Sequence, residues 1–295
     1  MSQGGTPESG VDSRAPIDAG DGPVVVLVHG QPGAGGDWAA LAGELATDHR
    51  VLAPNRPGWG SDPRPAVGIA ANAEALEDLL RAVVGEARVT VVGHSLGGGV
   101  ALELALLHKE RVGALVLVGS VGVAGALSGF DRLLVVPMLG SGLVRAGVAA
   151  LRRGLITAAR YPKTPPGARV ARKVAVLPTL QAAIGTDGRP IIGRSRRSFL
   201  IEQRALLAET PGLERSLGRI EVPVAVVTGT SDRIVPVAAA RALAERLPRA
   251  ELIVMTGGHL LPFEQPWKVA QVVRRYVALA GGLKDAQQPR GTPEA

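Results

Sequence analysis

The feature of this chain that most constrains its fold is a regular alternation of short apolar runs with longer helical patterns. The apolar runs consist mainly of Val, Leu and Ala, which is typical of strands buried on both faces of a sheet. We predict strands at Val24–Val28, Arg50–Ala53, Arg88–Val92, Leu115–Val118, Val222–Val227 and Leu252–Val254. We predict helices at Asp37–Ala46, Ala70–Gly85, Leu96–His108, Ala238–Arg246 and Trp267–Ala280. This order predicts an α/β fold with a doubly wound, mostly parallel sheet.

The alternation is interrupted once, at residues 122–219. This segment shows helix-like stretches separated by Pro and Gly, with no convincing strand. We therefore predict a core formed by 22–121 and 220–283, with a helical cap at 122–219 inserted into it. We predict a flexible lead at residues 1–21 and a disordered tail at residues 284–295, because neither segment shows an apolar periodicity.

Composition narrows the class of protein. The 295 residues are 46% hydrophobic and 20% charged, which describes a folded globular chain. The absence of Cys excludes disulfides, thiolate metal sites and a cysteine nucleophile. The N-terminal segment lacks the basic start and apolar centre of a secretory signal, and no apolar run is long enough to predict a membrane span. We expect a cytoplasmic location.

The net charge of +7 is concentrated in one segment. Residues 121–215 contain 15 Lys and Arg against 5 Asp and Glu, whereas the rest of the chain is slightly acidic. The aromatic residues of this segment are Phe130, Tyr161 and Phe199, which offer few surfaces on which bases could stack. We therefore expect no nucleic-acid partner.

A basic amphipathic helix is predicted inside the cap, at residues 142–160. At about 100° per residue one face of this helix is basic and the other is apolar. The basic face holds Arg145, Arg152, Arg153 and Arg160. Such a helix can simply keep its arginines in water above an apolar pocket. The alternative is peripheral contact with an anionic lipid surface.

The sequence V-V-G-H-S-L-G-G places Ser95 between a predicted strand and a predicted helix. Gly93 and Gly97 flank the serine at two positions on either side. A sharp strand-to-helix turn strains the backbone of its central residue and needs small neighbours, so the pattern predicts a nucleophile elbow. A Gly-rich phosphate-binding turn is the other interpretation, but the sequence holds no G-x-x-x-x-G-K-[ST] pattern.

A nucleophilic serine needs a base and an acid that orients the base. Of the five histidines, His259 lies in a Gly-rich loop after the last predicted strand. Asp232 lies in the loop that follows Val222–Val227, and Asp131 in the cap is a remote alternative acid. Asp232 could also serve only as a turn or helix-capping residue, and His259 could make only a local hydrogen bond.

The oxyanion of an acyl-transfer reaction needs backbone donors. The Gly-rich loop at residues 28–38 can direct the N–H of Gln31 towards it, and the N–H of Leu96 at the start of the elbow helix is a second donor. His29 and His94 are predicted to be structural, holding the oxyanion loop and the elbow.

Apolar residues are expected around the site. Trp38 and Trp59 lie beside it as packing residues or as substrate contacts. From the cap we expect pocket contacts from Leu133, Val136, Met138 and Phe199, which favour a hydrophobic substrate. No metal site and no cofactor are expected, because the sequence has no H-E-x-x-H and no His–carboxylate cluster.

Five motifs occur in order between residues 23 and 281: H-G-Q-P-G, R-P-G-W-G-S-D, G-H-S-L-G-G, G-T-S-D-R-I-V-P and G-G-H. In these motifs the chain resembles the α/β-hydrolase superfamily. It is similar to the branch with epoxide hydrolases, haloalkane dehalogenases, haloperoxidase-like esterases and carbon–carbon bond hydrolases. The first two classes use an Asp nucleophile, so Ser95 disfavours them. The resemblance also implies an antiparallel strand pair ahead of the first motif, for which little chain is available.

The resemblance and the residues together predict a serine hydrolase that cleaves a small-molecule carboxylic ester with a hydrophobic acyl or alcohol group. Ser95, His259 and Asp232 would act as nucleophile, base and orienting acid. One alternative is a carbon–carbon bond hydrolase whose acidic diketone-type substrate is attracted by the basic cap. The other alternative is a non-catalytic binding protein that keeps the fold.

Overall fold

The computed structural model describes residues 15–136, 140, 142–143, 145–147, 149–150, 153 and 191–287. The strands are β1 Ile17–Ala19, β2 Val24–Val28, β3 Arg50–Ala53, β4 Val89–His94, β5 Val112–Val118, β6 Val224–Gly229 and β7 Ala250–Met255. The α-helices are α1 Ala39–Leu45, α2 Ile69–Val84, α3 Leu96–Leu107, α4 Gly129–Leu134, α5 Ile191–Ser216, α6 Val237–Arg246, α7 Leu261–Glu264 and α8 Pro266–Gln287. Short 3-10 helices occur at Gly35–Trp38, Ala124–Ala126 and Leu217–Arg219.

The strands form a seven-stranded sheet in the order β1-β3-β2-β4-β5-β6-β7. The edge strand β1 runs antiparallel to β3, and the other neighbouring strands are parallel. The predicted α/β fold with a mostly parallel sheet is therefore confirmed. Each of the six predicted strands coincides with a strand of this sheet.

Helices cover both faces of the sheet, because successive strand residues alternate between two apolar cores. Val26 and Val28 of β2 belong to a core cluster that includes residues of α2, α3 and α6, whereas Val25 and Leu27 belong to a second cluster that includes residues of α1 and α8. All four of these side chains are 1% exposed or less. Strands buried on both faces in this way read as continuous apolar runs, which explains why their positions could be predicted.

The strand register brings the loops of the candidate site together. Val28 at the end of β2 pairs with Gly93 of β4, which pairs with Leu117 of β5. Val118 in turn pairs with Val227 of β6. The loops after these four strands therefore leave the sheet at one edge, where α/β proteins build their sites.

The prediction of a flexible lead at residues 1–21 is wrong for residues 17–19, which form β1. Three residues are too few to show a strand periodicity, and β1 is held by its pairing with β3. An ion pair adds to this, since Arg50 Nη2 lies 2.8 Å from Asp18 Oδ2. One antiparallel strand therefore precedes the first motif in the described residues.

The prediction of a disordered tail at residues 284–295 begins too early, because α8 continues to Gln287. Sequence pattern gave no sign of this extension, since the last turn of the helix is polar. Residues 288–295 lie outside the part of the chain that the structure describes.

In the described residues between β5 and β6, the regular elements are α4, α5 and two 3-10 helices, and none is a strand. Arg145 and Arg153 of the predicted basic helix are exposed, whereas Arg152 and Arg160 lie outside the described residues. Contact with anionic lipid therefore stays a prediction. Among the described helices, none has the length and apolar character needed to cross a membrane.

Helix α3 lies unusually close to the sheet at Gly97. A Cβ atom at this position would lie 2.2 Å from the carbonyl oxygen of Val28, which is backbone and cannot move aside cheaply. The same holds for Gly93, where a Cβ would lie 2.5 Å from Cα of Gly98. The two glycines of the serine motif therefore allow the helix to pack directly on the strands.

Substitution Gly97→Ala is expected to lower the free energy of unfolding by about 3 kcal/mol or more, because the added methyl group overlaps a backbone carbonyl. The matched control is Gly43→Ala in the exposed face of α1, where a Cβ meets nothing within 4 Å. That change should raise stability by about 0.5–1 kcal/mol, as Ala favours helix over Gly. Urea unfolding of both variants measures the difference; equal stabilities would contradict the close packing.

Candidate active site

Ser95 occupies a strained turn between β4 and α3. Its φ of 54° and ψ of −121° are left-handed, and it is the only residue other than Gly with positive φ in the described chain. Such a backbone costs roughly 1–3 kcal/mol and persists only where surroundings hold it. Here the N–H of Ser95 donates to the carbonyl of Val118 at 3.1 Å, and its carbonyl accepts from Val121 N at 3.2 Å. The half-buried side chain is thereby presented at the sheet edge.

Asp232 and His259 are brought together across the loops after β6 and β7. His259 Nδ1 lies 2.9 Å from Asp232 Oδ2. The other carboxylate oxygen accepts the backbone N–H groups of Ile234 at 2.8 Å and Val235 at 2.9 Å. The carboxylate is thus fixed by three donors, and it leaves His259 Nε2 as the free ring nitrogen. Asp232 therefore both accepts the N–H groups of the following turn and contacts His259.

The electrostatics of this pair favour a charged carboxylate. Burial alone would raise the pKa of Asp232, but the hydrogen bond and charge of His259 outweigh it, together with the two backbone donors. The net result is a pKa below the ordinary value for Asp. Asp131, the alternative acid, makes its described contacts elsewhere: its carboxylate binds Ser128 and Gln203.

The Asp232–His259 pair lies near Ser95, and residues at the end of β5 lie close to both. Val118 accepts the amide hydrogen of Ser95, and the following residue, Gly119, touches the acid–histidine pair. A Cβ built on Gly119 would lie 3.0 Å from His259 Nδ1 and 3.1 Å from Asp232 Oδ2. The three residues that the sequence assigns to one triad therefore share one corner of the sheet.

His94 supports the His259 loop from the elbow. Its Nε2 donates to the carbonyl oxygen of His259 at 2.9 Å, and the two rings lie 4.7 Å apart. Phe263 packs against His94 edge-on at 5.1 Å. Burial, and then the nearby charge of His259, lower the pKa of His94 to about 3. The structural role predicted for His94 agrees with these contacts.

The loop after β2 is held by a buried arginine. Arg56 Nε donates to the carbonyl of His29 and Arg56 Nη2 to that of Gly30, both at 2.9 Å. The backbone N–H of Arg56 donates to His29 Nε2 at 3.1 Å. Burial, followed by the charge of Arg56, holds the pKa of His29 well below its usual value. His29 is thus a neutral structural residue, as predicted.

Two residues of α5 complete this arrangement, and the sequence interpretation missed both. Glu202 is 1% exposed and forms an ion pair with Arg56, while Gln203 accepts the side-chain N–H of Gln31 at 2.7 Å. Burial raises the pKa of Glu202, an effect that the charge of Arg56 only partly offsets. The available signal was the rarity of acids in the basic segment, where Glu202 is one of five.

The two predicted oxyanion donors belong to residues near Ser95. Gln31 follows Gly30, where an added Cβ would lie 3.0 Å from Cβ of Ser95. Leu96 begins α3 directly after the serine. Among the described residues, neither the amide N–H of Gln31 nor that of Leu96 has a hydrogen-bond acceptor. Both donors therefore remain free for a ligand.

The predicted pocket residues differ in how deeply they are buried. Trp38 is fully buried and packs on Phe263 at 5.2 Å, and Trp59 is 3% exposed. Leu133 and Val136 are exposed by 40% and 43% in and after α4, and Phe199 is half-buried on α5. Met138 lies outside the described residues. Their substrate contacts stay predictions. In the described part of the chain, no three His, Asp or Glu side chains are grouped so that they could hold a metal ion.

Because the pKa of His94 is low in the folded protein, the free energy of unfolding should fall as the pH is lowered. The pKa of His94 is about 3 in the folded protein, whereas the ordinary value is 6.5. Between these two pH values His94 is therefore protonated in the unfolded chain but not in the folded protein. His94→Gln should therefore flatten the fall in unfolding free energy between pH 6 and pH 4 by about 1.4 kcal/mol per pH unit. Urea unfolding across this range measures it, and an unchanged slope would show that His94 is not held neutral.

Comparison with known proteins places the chain in a family. The model of the alpha/beta hydrolase family matches residues 25–272. The 2-hydroxymuconate semialdehyde hydrolase of Pseudomonas putida is 30% identical, covering 90% of this chain and 91% of that protein. The pimeloyl-(acyl-carrier protein) methyl ester esterase of Chromobacterium violaceum is also 30% identical, covering 83% and 89%.

Solved structures agree with this result. The structure of a thermophilic esterase from Thermogutta terrifontis is 25% identical with a TM-score of 0.68, covering 90% of this chain and 93% of that one. The chain belongs to the alpha/beta hydrolase family.

Proposed function

We propose that this protein is a serine hydrolase that cleaves a small carboxylic ester with a hydrophobic acyl or alcohol group. The observation that carries the proposal is the Asp232–His259 pair, joined at 2.9 Å beside a serine with strained, positive φ. A histidine oriented by a buried carboxylate next to a half-buried serine is the arrangement that acyl transfer requires.

The reaction begins with attack of Ser95 Oγ on the ester carbonyl. His259 Nε2 takes the hydroxyl proton, and Asp232 stabilises the imidazolium through Nδ1–H. The proton then passes to the leaving alkoxide, and an acyl group stays on Ser95. Water attacks this acyl-enzyme with His259 again acting as base, which releases the acid and restores the serine.

The N–H groups of Gln31 and Leu96 are assigned to the oxyanion. Their position near Ser95, with no acceptor among the described residues, supports this role. Fixed backbone donors stabilise the charge that develops on the carbonyl oxygen without reorganising, and each such donor contributes about 10²-fold or more to the rate.

Relatives support ester cleavage as the reaction. One of the relatives is named as a methyl ester esterase, and a structural neighbour at 25% identity is an esterase. Carbon–carbon bond cleavage is the second candidate, since the 2-hydroxymuconate semialdehyde hydrolase of Pseudomonas putida is 30% identical. The 15 basic against 5 acidic residues of segment 121–215 favour an acidic substrate in that case.

A fluorophosphonate probe should label the wild-type protein at Ser95, because an activated serine attacks phosphorus as it attacks a carbonyl. Peptide mass mapping locates the adduct. Ser95→Ala should abolish labelling, and His259→Ala should slow it by about 10³-fold or more through loss of the base. His108→Ala is the matched control, since this histidine pairs with Glu74 far from the site.

The proposal fails if the folded wild-type protein is not labelled, or if labelling survives in Ser95→Ala. In either case the interpretation of the chain as a non-catalytic binding protein would gain support. Circular dichroism of each variant shows whether the fold is intact.

Ester and carbon–carbon cleavage are separated by direct comparison of substrates. We expect kcat/KM for 4-nitrophenyl butanoate to exceed that for a vinylogous 1,5-diketo acid by about tenfold or more. Both reactions should disappear in Ser95→Ala, which excludes background hydrolysis. A higher kcat/KM for the diketo acid would assign the protein to the second candidate reaction.

A further inference from the structure

The side chain of Gln31 is one end of a chain of hydrogen bonds that reaches into the segment between β5 and β6. Gln31 Nε2 donates to Gln203 Oε1 at 2.7 Å, and Gln203 Nε2 donates to Asp131 Oδ1 at 2.8 Å. Asp131 in turn begins α4, where its Oδ2 accepts both the backbone N–H and the hydroxyl of Ser128 at 2.6 Å. Three separate segments are thus linked by side chains.

The carboxylate at one end of this chain fixes the direction of every bond in it. An ionised Asp can only accept hydrogen bonds, so Gln203 must turn its NH₂ group towards Asp131. The Oε1 of Gln203 then faces Gln31, and Gln31 must donate to this oxygen from its own NH₂ group. The orientation of both amides, which geometry alone leaves open, follows from the acid.

The consequence is an unsatisfied acceptor at the other end of the chain. Gln31 Oε1 is buried and has no hydrogen-bond partner among the described residues. Leaving a buried acceptor unpaired is unfavourable, so such atoms in folded proteins call for an explanation.

The place of this oxygen suggests what it binds. Gln31 carries the backbone N–H assigned to the oxyanion, and the preceding Gly30 touches Ser95. Its side chain extends from the core to α5. The free acceptor therefore belongs to the residue whose N–H is assigned to the oxyanion, and it lies where the loop after β2 meets α5.

We propose that Gln31 is a specificity-determining residue whose Oε1 accepts a hydrogen bond from a hydroxyl or N–H group of the substrate close to the scissile carbonyl. This inference rests on the proposed ester hydrolysis. It narrows the substrate class to esters with a donor group near the reacting carbon, as opposed to plain alkyl esters. A site built to pair with a donor discriminates against analogues that lack it, because its own polar atom is then left unpaired.

The test compares kcat/KM for 4-nitrophenyl esters of hydroxyacetic, methoxyacetic and butanoic acid, which supply a donor, an acceptor and neither group. Changes in each ratio between variants are compared, so that the intrinsic reactivity of the esters cancels. Gln31→Met removes the acceptor while keeping the backbone N–H. It should lower the hydroxyacetate-to-butanoate ratio about tenfold, the usual effect of one hydrogen bond.

Asp131→Asn tests the direction of the chain itself. The side-chain oxygen of the introduced Asn must accept the hydrogen bond from the Ser128 N–H, so the Asn NH₂ group faces Gln203. The side-chain amides of Gln203 and Gln31 then both flip. Gln31 then presents NH₂ to the substrate. The hydroxyacetate preference should fall and the methoxyacetate-to-butanoate ratio should rise several-fold. Asp131→Ala is the matched control, since it removes the acid without adding a donor and should lower the first ratio without raising the second.

A donor on the alcohol side is covered by the pair 2-hydroxyethyl butanoate and propyl butanoate, compared in the same variants. A Gln31-dependent preference in either pair supports the inference and shows on which side the donor lies. Unchanged ratios in Gln31→Met and Asp131→Asn, with thermal unfolding like that of the wild type, would overturn it. Hydrolysis of none of these esters by the wild type would instead overturn the proposed function.

Discussion

The arrangement of the site depends on one buried cation, the guanidinium of Arg56. It is 4% exposed and makes five side-chain hydrogen bonds, to the carbonyls of His29 and Gly30, to Asn72 and twice to Glu202. A buried guanidinium is tolerated only when its charge and its donors are matched. The loop after β2, helix α2 and helix α5 must therefore all meet at this residue. The loop after β2 and helix α5 are held in one relative position as a result.

Electrostatics around His259 depend on a second buried group. His94 lies 4.7 Å from the His259 ring and is kept neutral by burial, with a pKa of about 3. Asp232, whose pKa is lowered, supplies the opposite charge on the far side of the ring. The ring of His259 thus lies beside a neutral imidazole and contacts a carboxylate.

Most of the core, and the placing of Ser95, Asp232 and His259 in loops at one end of the sheet, could be predicted from the sequence, because each depends on local pattern. Buried parallel strands read as apolar runs, and the motifs around Ser95, Asp232 and His259 each follow one of these strands. β1 could not be predicted, because three residues carry no periodicity and are held by pairing with β3.

The contacts of α5 were also beyond prediction. Glu202 pairs with Arg56 across 146 positions and Gln203 with Gln31 across 172, and no pattern in one sequence reports such pairings. Asp131, considered as an alternative acid, accepts a hydrogen bond from Gln203. These residues carry charge or amide groups whose meaning depends on partners that only the folded chain brings close.

The central claim is that substrates pass through one acyl-enzyme on Ser95. Partitioning with methanol tests it most directly, using 4-nitrophenyl butanoate and phenyl butanoate as substrates. If both form the same butanoyl-Ser95, the ratio of methyl butanoate to butanoic acid must be identical for the two leaving groups at each methanol concentration. A ratio that changes with the leaving group would show that no common acyl-enzyme exists and would contradict the account.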